Sequence, residues 1–301
     1  MNDQPQRAGF VAIIGAPNSG KSTLVNRLTG AKVSIVSPKV QTTRTRVLGI
    51  RIVGQTQIAF IDTPGLFQPR RRLDRAMIAA AWGGAAEADR LLLLVDAAAG
   101  EDRDTGTIVA RLKEMGRRDV VLALNKVDIA AKPTLLALAE HYNRAGIFSD
   151  IFMISAETGD GIEDLLKALA GRMPEGPWLF PEDQMSDMPE RMLAAEITRE
   201  QLYLQLQQEL PYKATVETES WQERDDGSVR IEQIIYVERE GQRSIVLGKG
   251  GAKIKSIGQA ARAELARLLE RQVHLFLFVK VREKWEEDPE RYRALGLEFK
   301  V

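Results

Sequence analysis

Short apolar runs alternate with amphipathic stretches along the first 172 residues. Several runs are apolar throughout, as expected for strands buried on both faces of a mainly parallel sheet. Only Gly54 and Gln55 separate two of the runs, which favours an antiparallel edge hairpin. The pattern predicts a doubly wound α/β domain with one antiparallel edge strand. The apolar runs cover 10–14, 47–53, 56–61, 90–96, 119–125 and 150–155, and the helical stretches cover 21–29, 72–88, 104–116, 133–145 and 161–172.

The alternation of apolar runs and amphipathic stretches stops after residue 173. Four prolines and a cluster of acids occupy 174–189, which suggests a linker. Beyond it, the pattern predicts a small α+β domain made of a helix, two strands, a glycine-rich turn, a long helix and a final strand. We therefore predict one domain over 1–173, a linker over 174–187 and a second domain over 188–301. The predicted elements of the second domain are 189–208, 211–221, 228–239, 252–271 and 273–281.

Composition excludes several classes of protein. The chain has no cysteine, which rules out a disulfide scaffold, thiol catalysis and thiolate metal sites. Lys+Arg and Asp+Glu both number 42, so a nucleic-acid site would have to be a local basic patch. No apolar run approaches the ~20 residues of a membrane span, and the polar N-terminus lacks the features of a secretory signal. We expect a soluble cytoplasmic protein.

Residues 15–22 read GAPNSGKS, which fits the phosphate-loop pattern between an apolar run and a helix. In this pattern backbone N–H groups and the helix N-terminus point at phosphates. Lys21 would reach the β- and γ-phosphates, and the Ser22 hydroxyl would ligate magnesium. A chance glycine-rich turn is the alternative. The predicted nucleotide contacts are Gly15, Ala16, Pro17, Asn18, Ser19, Gly20, Lys21, Ser22 and Thr23.

Three more short motifs each end an apolar run, and the carboxyl ends of such strands are where ligands bind on open α/β sheets. DTPG (62–65) would hold magnesium through a water on Asp62 and sense the γ-phosphate with the Gly65 N–H. NKVD (125–128) selects guanine, because the Asp128 carboxylate accepts from two neighbouring N–H donors that adenine lacks. The Ala156 N–H would donate to the guanine carbonyl. The predicted contacts are Asp62, Thr63, Pro64, Gly65, Asn125, Lys126, Asp128, Ser155 and Ala156.

Taken together, the four motifs resemble the small GTPase fold over 8–172. The resemblance implies a threonine in the loop 37–49 that reaches magnesium when the γ-phosphate is present. Thr43, directly before Arg44, is the preferred residue and Thr42 is the alternative. The blander interpretation is that both are exposed loop threonines.

Hydrolysis needs a special explanation, because Leu66 stands where Ras-like enzymes carry a water-positioning glutamine. In GTPases with the pattern G-x-P-N-x-G-K-S, the asparagine that matches Asn18 ligates potassium beside the phosphates. This likeness implies potassium-stimulated hydrolysis with Lys21, Asn18, Thr43 and Gly65 as the catalytic set. Asn18 as a simple turn residue remains the alternative.

The second domain contains a G-x-x-G loop between an apolar run and an amphipathic helix. Residues 243–284 hold ten Lys/Arg and three acids, whereas 188–301 hold 19 and 20, so positive charge is segregated. This resembles a type II KH domain, whose loop clamps about four nucleotides. A helix-initiating turn with a solvated basic face is the alternative. The RNA contacts that the resemblance implies are Gly248, Lys249, Gly250, Gly251, Lys253, Ile254, Lys255 and Ile257.

One GTPase domain followed by a type II KH domain resembles the Era family of bacterial GTPases over nearly the whole chain. The resemblance implies slow hydrolysis of GTP to GDP and phosphate, with Mg²⁺ and K⁺ as cofactors. It also implies binding to small-subunit ribosomal RNA near its 3′ end and to the pre-30S particle, in assistance of 30S assembly. A monomer is expected, cytoplasmic with peripheral contact to the inner membrane. Two other classes stay open, namely a GTPase serving RNA modification whose second domain binds a protein, and a module that binds GTP but hardly hydrolyses it.

Overall fold

The structure, a computed structural model, describes residues 5–69 and 71–300. It divides into two compact units, each with its own sheet. The first unit comprises the described residues of 1–34, 43–187 and 295–301, and the second comprises 35–42 and 188–294. Residues 1–4, with which the predicted first domain begins, lie outside the described residues. No helix in these described ranges has both the length and the apolar character that crossing a membrane requires.

The first unit is the predicted α/β domain. Its sheet has the strand order β2-β3-β1-β4-β5-β6, in which only the β2–β3 pair is antiparallel. The elements are β1 (Arg7–Ile14), α1 (Lys21–Thr29), β2 (Val47–Val53), β3 (Thr56–Asp62), α2 (Arg72–Glu87), β4 (Arg90–Asp96), α3 (Arg103–Glu114), β5 (Val120–Asn125), α4 (Lys132–Asn143), β6 (Phe148–Met153) and α5 (Ile162–Ala170).

Strand β4 illustrates why the parallel strands were readable in the sequence. Leu91 and Leu93 pack in an apolar cluster that includes residues of α2, α3 and α4. The alternate residues Leu92 and Leu94 are also fully buried. Both faces of the strand are therefore covered, which requires a continuous apolar run and not an alternating one.

Residues 174–187, predicted as a linker, instead pack along the first unit. The Trp178 indole N–H donates to the Gln55 carbonyl at 3.1 Å, and the Ile50 N–H donates to the Met185 carbonyl at 2.8 Å. Asp187 accepts from the Leu48 N–H at 3.1 Å. The physical reason is that β2 is an edge strand whose outward N–H groups need acceptors, and this strap provides them.

The second unit is an α+β arrangement with a three-stranded sheet of order β7-β8-β9. Strands β7 and β8 are antiparallel, and β8 and β9 are parallel. The elements are α6 (Glu190–Gln205), β7 (Ala214–Glu223), β8 (Val229–Val237), α7 (Glu240–Leu247), α8 (Ala252–Leu268), β9 (Val273–Val281) and α9 (Pro289–Ala294), with short 3-10 turns at Pro211–Lys213, Lys249–Gly251 and Trp285–Glu287.

Two features of the second unit differ from the sequence expectations. The apolar run before the G-x-x-G loop is helical (α7), with Val246 as its buried residue. The unit also contains 35–42, because Ile35 is buried in an apolar cluster with Ala194 and Ile197, and it lacks 295–301. Trp285 is buried, and its indole N–H donates to the Lys213 carbonyl at 3.1 Å.

Candidate functional site

The phosphate loop lies between β1 and α1, and two of its glycines leave no room for a side chain. A Cβ on Gly15 would lie 2.4 Å from the Leu94 carbonyl oxygen. A Cβ on Gly20 would lie 2.4 Å from the Asn125 side-chain nitrogen, and Gly20 has φ +97°. These close approaches hold the loop in one conformation. The loop leads into the N-terminus of α1, where the helix dipole favours an anion.

Lys21 is buried inside this loop. Its ammonium group donates to the carbonyls of Gly15 at 3.1 Å and Ala16 at 2.9 Å. Burial lowers the pKa of Lys21 to about 8, against the opposing effect of the Asp62 charge. Burial removes the water that would otherwise stabilise the ammonium charge, and a bound phosphate would replace that stabilisation. The ammonium and the surrounding N–H groups are therefore complementary to phosphate.

A cluster of hydroxyl and carboxylate oxygens lies at the start of α1. Ser22 Oγ is 2.8 Å from Thr43 Oγ1 and donates to Asp62 Oδ2 at 2.8 Å, and the Ser34 hydroxyl donates to the same oxygen at 2.7 Å. Thr43 Oγ1 lies 3.2 Å from it. Burial raises the pKa of the Asp62 carboxyl, while hydrogen bonds from the two serines oppose that shift.

This oxygen cluster fits a magnesium ion. Asp62 Oδ1 is buried and has no hydrogen-bond partner among the described residues, although a buried carboxylate oxygen strongly prefers one. No group of three or more His, Asp or Glu side chains suited to a metal occurs in the described part of the chain. The donor set of two hydroxyls and one carboxylate consists of hard oxygen ligands, which are typical of magnesium bound together with phosphate oxygens.

The two candidate threonines are clearly separated. Thr43 faces the oxygen cluster, whereas Thr42 Oγ1 lies 2.7 Å from Ser37 Oγ and donates to the Lys39 carbonyl at 2.7 Å. The geometry thus favours Thr43 as the magnesium ligand.

The DTPG segment leaves β3 against the phosphate loop. Thr63 donates to the Ile13 carbonyl at 2.7 Å. A Cβ on Gly65 would lie 3.0 Å from the Pro17 Cα, so the Gly65 backbone lies directly beside the loop. The Leu66 side chain is buried in the core, where it cannot orient an attacking water.

Asn125 joins the base-selecting motif to the phosphate loop. Its side-chain N–H donates to the Ser19 carbonyl at 2.8 Å, and its side-chain oxygen accepts from the Ala156 N–H at 2.9 Å. A guanine carbonyl would therefore share the Ala156 N–H with Asn125 or displace that side chain. Asp128 is exposed, as a group that reads the edge of a base must be.

Three functional neighbours escaped the sequence analysis. Asp96 forms an ion pair of 2.6 Å with Lys126, which aims the lysine stem predicted to cover the base. It ends β4 at the same sheet edge as the motifs, so its position was a usable signal. Ser34 contacts Asp62, and Arg27 donates to the Ala156 carbonyl at 3.1 Å, but nothing in the local sequence marks either residue.

The G-x-x-G loop of the second unit is open. Gly250 and Gly251 have φ of +59° and +79°, and a Cβ on either would meet nothing within 4 Å. Gly248 is the exception, since a Cβ there would lie 2.6 Å from that of Lys253. The loop therefore presents bare backbone to solvent, on which a nucleic-acid phosphate can approach closely.

Positive charge concentrates at this loop more than the residue count suggested. Lys249, Lys253 and Lys255 form no ion pair with any other described residue. Four of the five arginines in the basic stretch are paired with acids, namely Arg243 with Glu240, Arg267 with Glu264, Arg271 with Glu223 and Arg282 with Asp288.

One predicted RNA contact needs correction. Ile257 is fully buried in the apolar cluster beneath α8 and cannot touch a base. Its burial follows from the helical period, because it shares a face with Ala261 and Leu265, which are also buried. Ile254 is only half-buried and remains available beside the loop.

Comparisons with known proteins find two different domain families in the two halves of the chain. A family model described as a 50S ribosome-binding GTPase matches residues 10–126, and a KH domain model matches residues 209–286. The GTPase Era of Sinorhizobium medicae is 61% identical over 295 residues, covering 98% of this chain and 95% of the relative. The GTPase Era of Caulobacter vibrioides is 59% identical over 309 residues, covering 98% of each.

Solved structures are similar over the same length. A variant of Aquifex aeolicus Era bound to GDP.AlF4− has a TM-score of 0.91 at 38% identity, covering 97% of this chain and 99% of that one. A structure of Era in complex with MgGDPNP and nucleotides 1506–1542 of 16S ribosomal RNA gives the same TM-score, identity and coverage. The predicted fold class, a P-loop GTPase domain followed by a KH domain, is confirmed.

Proposed function

The chain belongs to the GTPase Era family, and from that premise we propose that it is a GTP-driven switch that binds small-subunit ribosomal RNA near its 3′ end and assists 30S assembly. It is a GTPase. The observation that carries the proposal is the double role of Asn125, which ties the base-selecting motif to the phosphate loop in one site. The relative solved with 16S nucleotides 1506–1542 supports the RNA class.

In the nucleotide site, Ser22 and Thr43 would hold magnesium directly and Asp62 would hold it through a water. The ion would supply positive charge between the β- and γ-phosphates. Lys21 and the Gly65 N–H would stabilise the negative charge on the phosphoryl group during its transfer to water. The contact between Thr43 and magnesium would form only while the γ-phosphate is present. This would make the loop before β2 sensitive to the nucleotide state.

Potassium dependence is a further part of the proposal. Asn18 is exposed on the phosphate loop with φ +63°, and its side chain makes no hydrogen bond within the described part of the chain. Because Leu66 offers no group to orient water, another source of catalytic charge is needed. Asn18 would hold a potassium ion, which would take the place of an arginine finger.

Guanine selection is tested by Asp128→Asn. The amide replaces one of two acceptors by a donor, so the variant should reject GTP and accept xanthosine triphosphate. Losing one bidentate contact leaves a donor of the bound guanine without its acceptor and costs about 1–3 kcal/mol. Binding of both nucleotides is measured with fluorescent analogues. If Asp128→Asn binds GTP like the wild type, NKVD does not read the base.

The RNA function is tested with the full chain carrying Lys249→Asp and Gly250→Asp. Two carboxylates where RNA phosphates should lie would abolish binding to an RNA of the 16S 3′ end in filter assays. Basal phosphate release should be unchanged, because the loop is exposed and belongs to the second unit. Unchanged RNA affinity would mean that the loop is a structural turn and would favour a protein-binding second domain. Very weak phosphate release by the wild type would favour a module that only binds GTP.

Association with the pre-30S particle, a monomeric state, and a cytoplasmic location with peripheral contact to the inner membrane stay predictions from the family resemblance. Sedimentation of lysates over sucrose, with and without membranes, tests them together. Co-migration with 30S precursors is the result expected.

A further inference from the structure

The two oxygens of the Asp62 carboxylate have opposite surroundings. Oδ2 accepts from the hydroxyls of Ser22 at 2.8 Å and Ser34 at 2.7 Å, and the Thr43 hydroxyl lies 3.2 Å from it. Oδ1 is buried and meets no hydrogen-bond donor anywhere that the structure describes the chain. The donors on Oδ2 set the orientation of the carboxylate, and that orientation decides where Oδ1 points.

Ser34 differs from the other two donors because it is not itself a proposed magnesium ligand. The hydroxyl oxygens of Ser22 and Thr43 would bind the ion, and the Thr43 contact would form only with the γ-phosphate. The Ser34 hydroxyl donates to Asp62 Oδ2, and the residue is buried. It can therefore hold the carboxylate in one orientation whichever nucleotide is bound.

Asn26 of α1 fixes the backbone of Ser34. Its side-chain oxygen accepts from the Val33 and Ser34 N–H groups, both at 2.9 Å, and its side-chain N–H donates to the Ser34 carbonyl at 2.7 Å. Because Asn26 lies four residues after Ser22, the two side chains share one face of the helix. Helix α1 therefore carries both a proposed magnesium ligand and the clamp on the residue that orients Asp62.

We propose that Ser34, held by Asn26, is a positioning residue for magnesium, which fixes the Asp62 carboxylate so that Oδ1 faces the water of the ion. The inference rests on the proposed role of Asp62 as a ligand through water. All the contacts that carry it lie within the first unit. Partners that orient a metal ligand contribute about 10–100-fold to metal affinity. Ser34 therefore matters for nucleotide held with magnesium and does not matter for nucleotide held without it.

The test uses the full chain loaded with fluorescent GDP, whose release is timed over a series of magnesium concentrations and in EDTA. Ser34→Ala removes the donor, and Ser34→Cys keeps a weaker one. Thr105→Val is the matched control. Thr105 is a buried residue of the same unit, and its hydroxyl also donates to a carboxylate, that of Asp102.

For Ser34→Ala we expect the magnesium concentration that half-maximally slows GDP release to rise about 10–100-fold. In EDTA the release rate should stay within about twofold of the wild type, because a change that acts through a bound ion has no effect without it. Ser34→Cys should give a smaller rise. Thr105→Val should lower the melting temperature without moving the magnesium midpoint.

Asp62→Ala separates the inference from the proposal on which it rests. If Asp62→Ala leaves the magnesium midpoint unchanged, the proposed role of Asp62 is wrong and the inference falls with it. If Asp62→Ala raises the midpoint, adding Ser34→Ala should cause no further rise, because both changes remove the same oriented carboxylate.

Three results would overturn the inference alone while Asp62 keeps its role. They are an unchanged midpoint in Ser34→Ala, an equal acceleration of GDP release in EDTA, and effects of Ser34→Ala and Asp62→Ala that multiply. Should Ser34→Ala not fold, Ser34→Cys is read by the same criteria.

Discussion

The protein has two glycine-rich loops that each open onto a helix, and they are built in opposite ways. In the first unit, Gly15 and Gly20 are pressed against a carbonyl and an amide, and Lys21 is buried. In the second, Gly250 and Gly251 face open space and Lys249 is exposed. Both use positive φ at glycine, yet only one is enclosed.

The difference follows from the shape of the ligand. A triphosphate is compact and ends within the site, so a closed cradle can surround it with N–H groups fixed in advance. An RNA backbone continues past the site in both directions, so the loop that grips it must stay open. Packing around a glycine therefore tells more about its ligand than the glycine spacing does.

The largest expected effect is on the enclosed loop. Lys21→Ala removes a buried cation, so phosphate release should fall by at least ~100-fold, as when one preorganised charge-stabilising donor is removed. RNA affinity of the nucleotide-free full chain should be unchanged. Phosphate release and filter binding measure the two. If Lys21→Ala loses RNA binding to the same extent, the two loops do not act independently.

Adding a single methyl group to each loop separates the effect of backbone strain from the effect of enclosure. Gly20→Ala and Gly250→Ala both force an alanine into positive φ, at about 1–2 kcal/mol. Only Gly20→Ala also collides with Asn125, which breaks the tie to the base-selecting motif. We expect about a tenfold loss of GTP affinity in Gly20→Ala, because that contact is lost, and none in Gly250→Ala. Calorimetric melting and nucleotide titration measure both, and equal losses would contradict the account.

Burial also gives the enclosed loop a pH dependence. Burial lowers the pKa of Lys21 to about 8, and phosphates must raise it again. The bound state then holds more protons, so affinity falls as pH rises above 8, by up to ~10-fold per unit, and levels off below. Titration calorimetry at pH 8.5 in buffers of different ionisation heat should detect proton uptake. Constant affinity from pH 7.5 to 9.5 would argue against a buried, shifted lysine.

The smallest effect concerns Asn18, the exposed residue of the enclosed loop. Replacing potassium chloride by sodium chloride at equal ionic strength should lower wild-type turnover severalfold. Asn18→Ala should remove the difference and leave nucleotide affinity nearly unchanged. Lys249→Ala serves as the control, with the wild-type response expected. Equal wild-type rates in both salts would exclude potassium as an activator.

The sequence was most informative where a pattern is local. Strands 47–53 and 273–281 match their predicted bounds. The reason is that the spacing of apolar residues along a strand shows directly which of its faces are buried. Helix α7 was missed because its short apolar run fits a strand equally well. The assignment of 35–42 to the second unit depends on contacts such as that of Val36 with Glu200, 164 residues apart, which no local pattern encodes.

The path of residues 35–42 means that cutting the chain at one point does not separate the two units cleanly. Neither unit is continuous in sequence. A fragment that ends at 187 would carry Ile35 without its cover, and one that starts at 188 would expose Ala194 and Ile197. Exposed apolar surface of this kind promotes aggregation, so gene fusions that transplant one half should behave poorly. Grafting a new RNA specificity onto this GTPase therefore requires transferring the loop together with helix α6.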